Sequence, residues 1–120
     1  MKKISIQVKD AAFDRIERGF QTEVYLPIEP KYTKMFVSEN GRRNLLIDKQ
    51  KGNAHINAVL DAFSMGYRLR IDAASIRRCC KTGVLNYKVK GVRISSGRTD
   101  WGAEEGKLCY VVILGEEMDV

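Results

Sequence analysis

The sequence predicts an α+β fold: a small, curved and mostly antiparallel sheet, closing toward a barrel and flanked by two or three helices. Three observations carry this expectation. Helical and strand-like segments are mixed without the regular β–α–β alternation of a parallel sheet. The longest strand-like segment shifts its apolar phase by one residue at Gly91, as a bulge that bends a sheet does. The third is size: 120 residues, 44% hydrophobic and 30% charged, match one globular domain over residues 1–120.

Each element has its own local reason. Ile4, Ile6 and Val8 alternate with Ser5, Gln7 and Lys9, which predicts a half-buried opening strand. Asp10 is expected to cap a short helix over 11–18 with Phe13 and Ile16 inward, and Gly19 to end it in the left-handed region. Thr22 to Leu26 is β-branched and aromatic, and Pro27 stops it. Pro30 suits the first position of a helical turn reaching Phe36. Ser38 to Arg43 reads as a turn and Asn44 to Ile47 as a short strand. Asn53 to Met65 is the clearest helix, capped by Asn53, with Ile56, Val59, Leu60 and Phe63 at three- and four-residue spacing. Tyr67 to Ile71 alternates like a strand, and Asp72 to Cys80 is expected to be a short helix with Ile76 inward. Leu85, Tyr87 and Val89 then share one face of a long strand. A loop over 95–106 leads to a final buried strand, Leu108 to Leu114.

Several function classes fall away at this stage. The longest apolar run, Leu108 to Leu114, is too short to cross a membrane as a helix. Met1-Lys2-Lys3 leads into an alternating strand instead of an apolar signal core, so a cytoplasmic location is expected. Cys79, Cys80 and Cys109 make a poor disulfide framework and read as reduced thiols. Cys79 and Cys80 lack the spacing that brings two thiolates to one zinc ion. The only histidine, His55, lies off the helical stripe and is expected at the surface or boundary. No metal and no cofactor is expected. Phosphate-binding glycine loops and nucleophile elbows are missing.

The charge is uneven. Residues 67–98 carry a net +8 and residues 99–120 a net −5, within a total of +6. Such a basic stretch fits a polyanion site, and equally a set of solvated strand faces. Arg68, Arg70, Lys88, Lys90 and Arg93 would form its phosphate-facing flank, provided their strands pair. Two further clusters stand out. Gly19 to Tyr25 runs from a helix end into a strand and places Gln21, Thr22, Glu23 and Tyr25 at a rim, where they could meet polar base edges. The loop from Ser95 to Gly106 holds Arg98 and the only tryptophan, Trp101, a cation beside a stacking surface. The plainer readings are a helix stop before a surface strand, and a tryptophan folded back over the end of a barrel.

Taken in order, these clusters resemble the ASCH family, whose fold is similar to the PUA RNA-binding barrel. The run Phe13 to Leu26, ending Arg18-Gly19-Phe20-Gln21-Thr22-Glu23-Val24-Tyr25-Leu26, looks like that family's glycine-led motif. Trp101-Gly102-Ala103-Glu104-Glu105-Gly106 and Val111-Val112-Ile113-Leu114-Gly115 look like the ending of its small bacterial and phage members. The resemblance covers roughly residues 3–36 and 84–115 and leaves 37–83 unmatched. It implies a PUA-like barrel with a nucleic-acid or nucleotide cleft. Where the family has a lysine this chain has Gln21, and where it has glutamate and arginine this chain has Val24 and Leu26. A glutamine cannot supply the base that the family's amidohydrolases use. The expectation is therefore non-catalytic binding of RNA or a nucleotide. The alternatives are a small hydrolase on a modified nucleoside or RNA, with Thr22 and Glu23 or Glu104 in acid–base roles, and a protein-interaction module or homodimer using 37–83.

Overall fold

The computed structural model describes residues 2–79 and 81–118. The fold is α+β. Its five-stranded mixed sheet is mostly antiparallel and strongly curled into a half-barrel, in the order β1-β3-β4-β5-β2. The strands are β1 (Lys3–Val8), β2 (Glu23–Pro27), β3 (Ala73–Arg78), β4 (Val84–Ser96) and β5 (Leu108–Glu117). The helices are α1 (Asp10–Glu17), α2 (Pro30–Phe36), α3 (Glu39–Asn44) and α4 (Gly52–Ser64), with 3-10 turns at Ile47–Lys49 and Thr99–Trp101. No helix among the described residues is long and apolar enough to cross a membrane. The chain divides into two compact units, residues 1–25 with 71–120, and residues 26–70.

In the sheet unit, period-two alternation became burial as expected. Ile4 and Ile6 of β1 are buried opposite Ala74 and Ile76 of β3, in parallel register. Phe13 and Ile16 are the buried residues of α1. Asp10 is not its cap. Lys9 holds the cap position without a side-chain bond, and Asp10 is a first-turn acid 2.9 Å from Lys81 Nζ. The register of β4 against β5 shifts between Val89 and Gly91, so the bulge stands where the apolar phase changes. Beyond it Val92 and Ile94 oppose Val112 and Tyr110, both fully buried, while Arg93 and Ser95 oppose Val111 and Cys109.

The helix expected over 72–80 is strand β3, with Cys80 outside the described residues. Ala73, Ala74, Ser75 and Ile76 are all buried between β1 and β4. The helix propensity of alanine is a weak local preference, and two-sided pairing in a sheet outweighs it. The Ser75 hydroxyl donates to Asn86 Oδ1 at 2.6 Å, which removes the cost of burying it.

The unit of residues 26–70 departs furthest from expectation. Pro30 does open α2. Ser38 to Arg43 is a capped helix start instead of a turn, because the Ser38 hydroxyl accepts from Gly41 N at 3.2 Å. The strand expected over 44–47 is the end of α3 and the start of a 3-10 turn. Gly41 is required there: a Cβ would lie 2.5 Å from Tyr67 Cβ. Tyr67 to Ile71 does not join the sheet. It is extended and bridges only Val37, through Arg68. Lys51, not Asn53, holds the cap position of helix α4, without a side-chain bond, and the helix buries His55, Val59 and Ala62, one step round from the Ile56–Leu60–Phe63 stripe.

His55 is the clearest correction. Expected at the surface or boundary, it is 1% exposed. Nδ1 lies 3.0 Å from the Ile47 carbonyl, which can only accept, so that nitrogen carries a proton. Nε2 lies 2.9 Å from Thr33 Oγ1, which is itself 2.9 Å from the Glu29 carbonyl. Both ring nitrogens lie within hydrogen-bond distance of a polar atom, and a polar ring so placed can occupy a core position.

Candidate nucleic-acid interface

The sheet unit brings the two sequence clusters together. Helix α1 ends at Gly19, φ 80°, and Phe20 N and Gln21 N both donate to the Arg15 carbonyl. This tight end swings the chain into β2. Gln21 is drawn inward, 3% exposed, with its Oε1 accepting from Arg15 Nε at 2.9 Å. Its Nε2 donates to the Glu23 carbonyl at 2.8 Å. Gln21 is thus a buried cross-link between helix and strand, with both ends of its amide engaged. Thr22 is exposed, and its carbonyl accepts from Leu114 N of β5 at 2.9 Å.

Glu23 and Tyr25 follow on β2. The Tyr25 hydroxyl donates to Glu23 Oε1 at 2.8 Å, and Arg93 NH2 donates to Glu23 Oε2 at 2.9 Å. Arg98 N in turn donates to the Tyr25 hydroxyl at 3.1 Å, which ties the Trp101 loop to β2. Gly97 permits this approach. A Cβ there would lie 2.7 Å from the Tyr25 ring and 2.8 Å from Ala103 Cβ. Burial above all, reinforced by the Glu23 carboxylate, pushes the Tyr25 phenol up to about 12, against the opposing pull of the Arg98 amide. Burial likewise pushes up the Cys109 thiol, which donates to the Ser95 carbonyl at 3.4 Å.

On the far side of that tie, Arg98 caps the 3-10 turn that carries Asp100 and Trp101. Its guanidinium grips Asp100 with both oxygens, Nε–Oδ1 at 3.1 Å and NH2–Oδ2 at 2.7 Å. It also lies 4.0 Å over the half-buried Trp101 ring. The bond to Arg98 holds the Asp100 carboxyl below its usual range, with a smaller pull from the charge of Arg15. Phe20, just after the end of α1, is 69% exposed.

Lys88, Lys90 and Arg93 are exposed on β4, and Lys88 lies 3.8 Å from Glu116. Arg68 and Arg70 belong to the other unit, outside the sheet. There the Arg68 guanidinium lies 6.0 Å from the Phe63 ring. Their strand does not pair with β4, so the condition attached to a five-residue basic flank is not met.

Sequence reading missed Arg15, Phe20 and the role of Asp100. Nothing local announced Arg15, whose task depends on where α1 ends. Among the described residues no group of three or more His, Cys, Asp or Glu side chains is placed to hold a metal ion. Comparison of the chain with protein-family models, curated proteins and solved structures gives no match.

Proposed function

We propose that the sheet unit is a non-catalytic binding module for single-stranded RNA or a nucleotide. The observation that carries this reading is the Arg98–Trp101 stack, in which a guanidinium held by Asp100 lies 4.0 Å from the centre of an aromatic ring. Bases of any sequence stack on such surfaces, and each aromatic contact contributes about 1–3 kcal/mol. Lys88 and Lys90 supply positive charge on β4 for phosphates, while the charge of Arg93 is offset by Glu23. The resemblance to ASCH and PUA-like domains points to the same class of ligand.

A hydrolytic role for Glu23 is less well supported. Its two oxygens are taken by Tyr25 and Arg93, and a carboxylate so neutralised is a poor general base. The departure at Gln21 points the same way, because its amide is committed to Arg15 and β2.

The test is anisotropy of a fluorescent single-stranded RNA, with matched DNA, across a salt series. Binding is expected with a log–log slope of about −0.7 per neutralised phosphate. Preference for RNA would mean contacts to the 2′-hydroxyl. Lys88→Glu with Lys90→Glu weakens binding with little change in stability, and Trp101→Ala weakens it without changing the slope. Failure to bind at low salt overturns the reading. Turnover of acetylated cytidine, lost in Glu23→Gln, would replace it with the hydrolase.

A further inference from the structure

We propose that the corner formed by α3 and the 3-10 turn after it binds a small amphiphilic carboxylate, one carboxylate head on a short apolar body. This inference is independent of the proposed nucleic-acid reading, because every residue it uses lies in the unit of residues 26–70.

Three separate observations meet at this corner. The first is a cavity of about 380 Å³ lined by Glu39, Arg42, Arg43, Leu46, Asp48 and Lys49. That volume falls within the roughly 300–1,000 Å³ of small-molecule sites, toward the small end. The second is Leu46. Its φ of 50° and ψ of 37° put it in the left-handed region, where it is the one non-glycine residue with positive φ among those described. A Cβ is strained in that conformation, and glycine is the usual choice at such a helix end. Nor does packing repay the strain, since the Leu46 side chain is 52% exposed. Strained residues gather at functional sites, and here the strain holds an apolar side chain at the edge of a charged cavity.

The third observation is the charge balance. Arg42 NH1 lies 3.3 Å from Asp48 Oδ2, and Arg43 NH2 lies 2.8 Å from Glu39 Oε1. Lys49 makes no ion pair among the described residues, so the lining keeps one positive charge. One carboxylate neutralises the lining, whereas a phosphate monoester would bring surplus negative charge beside Glu39 and Asp48. Leu46 then offers the surface on which the apolar body rests.

The experiment is a titration of the whole chain, followed by amide chemical shifts, with hexanoate, acetate and hexylammonium. Hexanoate is expected to shift residues 39–49 saturably. Acetate, lacking the body, should bind about tenfold more weakly, and hexylammonium should leave these amides unmoved. Lys49→Gln should weaken hexanoate about threefold. Leu46→Gly should reduce hexanoate to the level of acetate while raising the melting temperature, so that lost binding cannot be lost folding. Absence of a saturable hexanoate shift overturns the proposal, as does equal response to hexylammonium or unchanged affinity in Leu46→Gly. Tighter binding of a nucleoside monophosphate than of hexanoate at the same amides overturns the carboxylate assignment.

Discussion

The two units each hold a chain of polar side chains, and the chains differ in where they sit. In the unit of residues 26–70 the chain is internal: His55 and Thr33 are fully buried and reach the Ile47 and Glu29 carbonyls. In the sheet unit it runs along a rim, from Arg93 through Glu23 and Tyr25 to the Arg98 amide, with Arg93 about half exposed. The hydrogen bonds are alike in length. Their energetic weight should not be. A buried group that loses its partner keeps its full desolvation cost, whereas a rim group recovers water.

That difference can be broken by three substitutions of decreasing effect. His55→Ala leaves a cavity and deprives the Ile47 carbonyl and Thr33 of their ring partner, and should cost about 3 kcal/mol. Denaturant midpoints measure it, and a loss smaller than that of any rim variant would break the comparison. Tyr25→Phe removes one donated and one accepted hydrogen bond at a half-buried hydroxyl and should cost about 1 kcal/mol. Arg93→Gln removes an exposed partner of Glu23 and should cost about 0.5 kcal/mol or less, shrinking further in high salt.

The Tyr25 variant also sharpens the comparison through pH. The folded phenol is pushed from 10.0 up to about 12, so the fold favours its protonated form. The stability this contributes is fully present below the unfolded value and is lost as pH rises from 10.0 through about 12. Unfolding midpoints of the parent chain should therefore fall across that window, and Tyr25→Phe should flatten the decline. Tyr87 is also raised, chiefly by burial, and should leave part of the slope in place. An unchanged slope in Tyr25→Phe would mean that the rim network does not hold the phenol.

Much of the sheet was legible because alternation reports burial directly. Ile4, Ile6 and Tyr87 face inward as their spacing implied, and the phase change at Gly91 marked the bulge. Strand β3 was not legible. Ala73 to Ile76 is buried on both faces, so it has no alternation to display, and its small residues read as helical. At the rim, the residue types were visible but their partners were not. Glu23 and Arg93 are seventy positions apart, and Tyr25 and Arg98 seventy-three.

The sequence by itself determined strands β1 and β4, the inward face of α1, the glycine turn after it and the helix begun by Pro30. Each of these is a choice made within a few residues, where periodicity and backbone chemistry decide. Only the tertiary structure decided that β3 is a strand, that His55 is internal, and that Leu46 is held left-handed beside a charged cavity. Those outcomes depend on which distant groups supply hydrogen bonds and cover surface. A polar ring is buried when two partners arrive for it, and no property of the ring or its neighbours in sequence announces them.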